Sequence, residues 1–237
     1  FNAAEGSVFQ NQQLRQALAG IARENADVPS SGLYAAAKGL VPEGLTVDGL
    51  DYRETAGNPL PTIPEPKALY LAARQGMATS DFSGVTLLLP KNAGLGELAD
   101  QINSAWQKEC SLFFSVEEVE QDEFDARIAA GKYTIALAPI RAEGGSVYQM
   151  LQQFTAEGGS LTGYADTVYA DRLALSAQQT GKDRCALLAQ CERQLLESCT
   201  MVPLMAQQKR LLLANGVRDL VFDPFFPVLD LTWAKMS

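Results

Sequence analysis

The stretch from Val85 to Ala138 limits the possible folds most strongly, because apolar runs and helical periods alternate along it. Its predicted strands and helices are, in chain order, Val85–Leu89, Leu95–Lys108, Leu112–Val116, Asp122–Ala130 and Tyr133–Ala138. The apolar runs have the length of strands, whereas the segments between them carry apolar residues at the spacing of an amphipathic helix. Strands joined by single helices through short connections predict right-handed parallel βαβαβ units. We therefore expect an α/β fold with an open, mainly parallel sheet flanked by helices.

Further amphipathic segments on both sides of this unit predict the rest of the fold. The predicted helices are Asn11–Glu24, Lys67–Gln75, Val147–Thr155, Thr167–Gln178 and Asp183–Cys199. The predicted short strands near the end of the chain are Val202–Ala206, Arg210–Ala214 and Leu220–Phe222. Prolines and glycines recur from Val41 to Pro66, a composition that cannot sustain a long regular element. We expect that segment to meander over the surface.

Composition excludes several classes of function. The 237 residues contain no histidine, which removes His-based catalytic triads, His general bases and His ligands for zinc. No Walker A, G-x-G-x-x-G or G-x-S-x-G pattern occurs, so we expect neither a cofactor nor a metal ion. The net charge is −9, and no run of Lys or Arg could follow a phosphate backbone. Nucleic acid is therefore not an expected partner.

The cysteines and the apolar segments give no sign of a redox site or a membrane span. Cys110, Cys185, Cys191 and Cys199 form no C-x-x-C pair, and we expect them to pack as small apolar residues. Trp106 lies on the apolar face of a predicted helix, so we expect it in the core. No apolar run approaches the length of a membrane-spanning helix. The sequence begins without a signal peptide or an initiating Met, which suggests that it has been trimmed.

Candidate ligand-binding residues follow the predicted strands. In open α/β sheets, ligands bind beyond the carboxyl ends of the strands, where loops and helix N-termini converge. Three segments lie at such positions, namely Lys91 with Asn92, the acidic residues Glu117, Glu118 and Glu120, and Pro139–Ser146. The acidic cluster is also typical of a solvated helix or strand face.

The segment after the third strand combines the most varied chemistry. Ile140, Arg141, Ala142, Glu143 and Gly144 bring an apolar side chain, a cation, a carboxylate and a permissive glycine to one strand end. A partly desolvated carboxylate there could hold an ammonium group by charge-assisted hydrogen bonds. A solvated loop glutamate is the alternative at this position.

Several segments along the chain match, in the same order, short motifs of one protein family. Phe1-Asn2 and Gln12–Leu18 are similar to that family's FN strand and VRQAL helix, and Gly39–Gly44 is similar to its G-x-VP-x-G loop. The other similar segments are Pro64–Gly76, Val85–Pro90, Phe124–Arg127, Gly131–Ile135 and Leu195–Leu204. Each motif is weak alone, but their shared order covers nearly the whole chain.

In these motifs the chain resembles the oligopeptide- and dipeptide-binding proteins of ABC importers. The resemblance is to the C-terminal lobe of such a family 5 extracellular solute-binding protein. It implies a periplasmic-binding-protein type II-like lobe over residues 1–222. Residues 223–237 would then be a tail that returns toward an N-terminal lobe absent from this sequence.

The resemblance also implies a ligand site. In peptide-binding relatives, the third strand runs into a GW-x-x-D turn whose aspartate pairs with the α-amino group of the peptide. Tyr133–Phe154 aligns with that segment and places Glu143 at the aspartate and Ile140 at the tryptophan. Carboxylate chemistry is kept, whereas aromatic stacking is lost. The implied ligand-binding residues are Glu143, Arg141, Ile140, Ala142 and Gly144.

The function implied is extracytoplasmic binding of a solute, and not catalysis. The protein would capture an oligopeptide between two lobes and deliver it to ABC permease subunits. It would be either periplasmic or lipid-anchored at the cell surface. One alternative is the ligand-sensing domain of a transcriptional regulator. A second is a binding protein for a non-peptide solute such as a nickel chelate or a sugar. A third is a hydrolase that uses the carboxylates of Glu117, Glu118, Glu120 and Glu143.

Overall fold

The structure is a computed structural model that describes most of the chain. The described residues are 1–29, 32–141, 145–156, 159, 161–209, 211–222, 229–230 and 232–236. The helices are α1 (Gln12–Asn25), α2 (Tyr52–Ala56), α3 (Pro66–Ala73), α4 (Gly96–Cys110), α5 (Gln121–Ala129), α6 (Val147–Gln152), α7 (Thr167–Ser176) and α8 (Gly181–Glu197). The strands are β1 (Tyr34–Ala36), β2 (Thr46–Val47), β3 (Leu50–Asp51), β4 (Thr86–Pro90), β5 (Ser115–Val119), β6 (Ile135–Ala136), β7 (Met205–Gln207), β8 (Val217–Arg218), β9 (Val221–Phe222), β10 (Leu229–Asp230) and β11 (Lys235–Met236).

The predicted parallel sheet is confirmed as three strands in the order β5-β4-β6. Both β5 and β6 pair with β4 in parallel, with Leu88 opposite Glu117 on one side and Ala136 on the other. Helix α4 connects β4 to β5, and helix α5 connects β5 to β6. The α/β fold class predicted from the alternating pattern is therefore correct.

Apolar residues on both faces of β4 explain its central position. Leu87 and Leu89 contribute to a core with helices α1, α3 and α4, whereas Leu88 faces α5 on the opposite side. All three leucines are buried. Because successive side chains of a strand point to opposite faces, a continuous apolar run is what a sheet covered on both sides requires.

Strand β5 begins later than the sequence predicted. The run Leu112–Val116 was expected to be the strand, but Leu112 and Phe114 lie in the core before the strand starts at Ser115. The side-chain amide of Asn103 donates to the Phe114 carbonyl at 2.6 Å and accepts from its N–H at 3.0 Å. These bonds take the place of strand pairing, so the apolar run packs against α4 instead.

A second core lies among the helices. Residues of α2, α6, α7 and α8 pack together with the segment from Leu40 to Val47. The Pro- and Gly-rich segment provides only the short β2–β3 hairpin and α2, as its composition predicted. The expectation that it lies on the surface was wrong, because Val41, Leu45 and Tyr52 are buried in this core. All described core residues of this half are supplied by loops and helices, apart from those of the hairpin.

The end of the chain differs from its predicted form. Residues 211–214 form no strand, and Leu212 is 96% exposed. The strands described there pair antiparallel, β8 with β11 and β9 with β10. The lobe boundary at residue 222 stays a prediction. Within the described ranges, no helix is long and apolar enough to cross a membrane.

Candidate functional site

A cleft of about 740 Å³ opens beside β6. It lies at the outer edge of this strand, the edge that does not pair with β4. One wall is formed by Ile102 and Trp106 of α4 and by Ala22 of α1. The opposite wall is formed by Phe124 and Ile128 of α5. The sequence placed each of these residues in a predicted helix, but it did not show that the three helices enclose one space.

The far side of the cleft comes from segments remote in sequence. Phe1, Thr162 and residues Thr200–Val202 line it. The Phe1 nitrogen donates to the Thr200 carbonyl at 2.8 Å, and its ring lies 6.3 Å from the Trp106 ring, centroid to centroid. Burial, and then the positive charge of Arg15, lower the pKa of this amine to about 5. A terminal ammonium is therefore poorly tolerated at this position.

The mouth of the cleft lies where β6 leads into the predicted ligand-binding segment. Ile140 and Arg141 both line the cleft. Ile140 is half-buried against the helical core, whereas Arg141 is exposed and its guanidinium remains in water. Gly145 follows with a φ of +65°, and the Ser146 hydroxyl accepts from the Gln149 N–H to begin α6. Ala142, Glu143 and Gly144 lie outside the described residues, so the proposed amine-binding carboxylate stays a prediction.

The other two predicted segments are occupied by surface ion pairs. Lys91 and Asn92 follow β4, and the Lys91 ammonium lies 2.9 Å from Glu120. The hydrogen bond to Glu120 raises the pKa of Lys91. Asn92 has a φ of +62° in the turn. Because both charged side chains are largely exposed, this pair contributes little beyond shaping the loop.

The acidic cluster is divided between a strand and a helix start, and it does not form the expected loop. Glu117 and Glu118 belong to β5, and Glu120 directly precedes α5. Glu117 accepts two hydrogen bonds from Arg127, at 2.6 and 2.9 Å, and these lower its pKa. The arrangement joins β5 to α5.

A buried ion pair in the helical core was missed by the sequence reasoning. Glu192 of α8 is 0% exposed and accepts from Arg53 at 3.0 Å, from the Tyr52 hydroxyl at 2.9 Å and from the Val41 N–H at 2.9 Å. Arg53 also donates to the Val41 carbonyl. The available signal was a glutamate in the apolar stripe of α8, between Leu188 and Leu195. All of these partners are internal, so the network fastens α8 to the loop before α2.

The cysteines behave as predicted, as buried apolar groups. Each is a free thiol in the structure. Burial raises the pKa of Cys110 and of Cys199 to about 11, and that of Cys191 to about 12, so these thiols stay protonated at neutral pH. In the part of the chain that the structure describes, no group of three His, Cys, Asp or Glu side chains is placed to hold a metal ion.

Comparison with known proteins supports the fold at low sequence identity. No family model matches the sequence, and no curated protein matches it. Three solved structures illustrate the similarity. The substrate-binding domain of an oligopeptide ABC transporter from Bacillus anthracis has a TM-score of 0.75 and 17% identity over 100% of this chain and 48% of its own. OppA of Listeria monocytogenes, solved with bound peptide, has a TM-score of 0.72 and 18% identity over 100% of this chain and 48% of its own.

The third structure is of nearly the same extent as this chain. It is the peptide-binding protein of a peptide ABC transporter, with a TM-score of 0.70 and 18% identity over 85% of this chain and 93% of its own. The chain spans about half the length of the first two structures. The type II periplasmic-binding-protein fold implied by the sequence motifs is therefore confirmed.

Proposed function

We propose that the chain is the C-terminal lobe of an extracytoplasmic oligopeptide-binding protein that delivers its solute to an ABC importer. The observation that carries the proposal is the fold match over the entire chain to substrate-binding proteins of such transporters. Residues 1–222 would form the lobe, and the remaining residues would lead toward a second lobe. Binding, without a covalent step, is the whole of the proposed chemistry.

The proposed solute site lies at the mouth of the cleft, beyond the end of β6. Ile140 and Arg141 line that mouth, and the Arg141 guanidinium is free to meet a carboxylate or a peptide carbonyl. Glu143 lies two residues further along the chain and would accept from the α-amino group of a peptide. Ala142 and Gly144 would offer backbone groups beside it. Such a half-site gains most of its affinity when a second lobe closes over the solute.

The test is thermal unfolding of a protein that carries this lobe together with its second lobe, in the presence of defined pools of short peptides. A ligand at 100 times its dissociation constant stabilises the folded state by about 2.7 kcal/mol, which a melting curve resolves. We expect free-amine peptides to raise the melting temperature and N-acetylated copies of the same peptides to do so much less.

Variants sharpen that measurement. Glu143→Gln should abolish the preference for a free amine, whereas Glu118→Gln, on β5, should leave it intact. Stabilisation by sugars or nickel chelates, with none by any peptide, would keep the fold and overturn the proposed solute.

A further inference from the structure

The turn before β8 contains an asparagine that is directly followed by glycine, a pair found at this one place in the sequence. The Val217 N–H donates to the Ala214 carbonyl at 3.2 Å, which closes the turn with Asn215 and Gly216 at its centre. Gly216 has a φ of +94°, which glycine adopts without strain. Asn215 is exposed, and its side chain has no hydrogen-bond partner among the described residues. Its amide can therefore rotate toward the backbone that follows.

The other asparagines lack this combination. Those whose side chains form hydrogen bonds with backbone groups are Asn2, Asn11, Asn25, Asn58 and Asn103. Asn92 is exposed in its turn, but the next residue is Ala93, whose side chain hinders approach to the Ala93 nitrogen. A following glycine offers no such hindrance, because it has no Cβ. Asn215 therefore has the least protected side-chain amide among these residues.

A second turn has a related residue pair, but its side chain is held in place. Asp48 and Gly49 join β2 to β3 with φ values of +51° and +81°, and both residues are exposed. The Asp48 carboxylate accepts from the Gly181 N–H at 2.8 Å and from Arg184 at 3.2 Å, at the start of α8. Cγ of Asp48 has to leave these bonds before it can reach the Gly49 nitrogen. The two turns therefore differ in how the side chain is held, and both are open to water.

We infer that Asn215 is a site of spontaneous deamidation, selected by its unheld side chain and by the glycine that follows it. Asparagine is a thermally labile residue. The Gly216 nitrogen gives up its proton and attacks Cγ of Asn215. A bond forms between that nitrogen and Cγ, the Cγ–Nδ2 bond breaks, and ammonia leaves with the proton. Water then opens the cyclic imide at either of its carbonyls, which yields aspartate or isoaspartate.

Both products change the turn at the start of β8. Each has a carboxylate that is ionised at neutral pH, so the turn gains one negative charge. Isoaspartate also lengthens the main chain by one methylene, because the chain then runs through Cβ. Strand β8 pairs with β11 only through Val217 with Met236 and Arg218 with Lys235, and so short a pairing opens easily. Water is the co-reactant and no residue of the proposed solute site takes part, so the inference does not rest on the proposed function.

The test is incubation of the 237-residue chain in mildly alkaline water labelled with heavy oxygen, followed by peptide mapping with mass spectrometry. Alkali promotes the reaction because the Gly216 nitrogen has to lose its proton. The peptide that contains Asn215 should exchange NH for labelled oxygen and separate into an aspartate form and an isoaspartate form. Peptides that contain Asn92 or Asn103 should stay unchanged over the same period. Asn215→Gln should remove the products, because glutamine has to close a larger ring.

A matched variant tests whether the unheld side chain selects the site. Asp48→Asn places the same pair of residues in the exposed β2–β3 turn, where the side chain can keep its bonds to α8. Deamidation at position 48 should be roughly tenfold slower than at Asn215, because about two hydrogen bonds have to break before attack. Equal rates at the two positions would overturn the inference. An unchanged Asn215 peptide, or conversion of Asn92 as fast as that of Asn215, would also overturn it.

Discussion

The helical core and the sheet core of this chain differ in how completely they are closed. In the helical core, Glu192 of α8 is fully buried. Its carboxylate accepts hydrogen bonds there from Arg53, from Tyr52 and from the loop before α2. In the sheet core, β4 is fully covered, but β6 borders an open cleft. Both cores are rich in large apolar side chains, so apolar content does not explain the difference. Closure depends on whether each element has a neighbour for its backbone as well as for its side chains.

The largest expected loss of stability follows from breaking the buried ion pair of the helical core. Glu192→Gln keeps the shape of the side chain but leaves the Arg53 guanidinium buried without a counter-charge. Breaking a buried ion pair in this way costs about 3–5 kcal/mol of unfolding free energy. Denaturant unfolding would measure it, with Glu43→Gln as the control, since the exposed pair of Glu43 with Lys38 should contribute less than about 1 kcal/mol. Equal losses in the two variants would contradict the large contribution assigned to the buried pair.

A pair of truncations compares the two cores directly. Leu188→Ala in α8 should create an enclosed cavity and cost about 2–5 kcal/mol. Ile102→Ala in α4 enlarges a cleft that is already present, so its cost should lie near the lower end, about 2 kcal/mol. Both side chains are nearly fully buried, at 1% and 3% exposure, which makes the pair well matched. A larger loss for Ile102→Ala would show that the cleft is closed in solution.

The smallest expected effect concerns the exposed ion pair of the sheet core. Arg127→Gln removes both hydrogen bonds to Glu117 and should cost less than about 1 kcal/mol, because Glu117 is 43% exposed. Arg127 holds the pKa of Glu117 below its ordinary value. The pair's contribution is therefore fully present above the ordinary pKa of a glutamate and is lost as pH falls through the lowered value. Unfolding free energies of the parent chain and the variant should converge in acid, and a constant difference across that range would contradict the assignment.

The sequence predicted the sheet core better than the helical core. Its strands and helices are local patterns, and the short connections leave few topologies for β4, α4, β5, α5 and β6. The predicted start of β5 was wrong, because the side chain of Asn103 in α4 bonds to the backbone of Phe114 and so keeps the apolar run out of the strand. The ion pair of Glu192 with Arg53 joins residues 139 positions apart, a distance over which a single sequence carries no pairing signal.

The candidate site was predicted in position but not in shape. Ile140 and Arg141 lie where the strand-end rule put them. The cleft itself could not be predicted, because α1, α4, α5, β6 and the segment around Thr200 each contribute only a few side chains to it. The strand predicted over Arg210–Ala214 was wrong, and its residues Leu211–Leu213 are exposed, since apolar composition alone does not supply a pairing partner.

The buried thiols make it possible to measure the opening rate of each core. Cys110 lies in the sheet core, and Cys185 and Cys191 lie in the helical core. A buried, protonated thiol reacts with an alkylating reagent only when its surroundings open. Slow alkylation of the native chain therefore reports opening rates residue by residue, and modification of Cys110 before Cys191 would mark the sheet core as the less stable region. The native cysteines thus serve as probes for kinetic measurements on each core, and no cysteine has to be introduced by mutation.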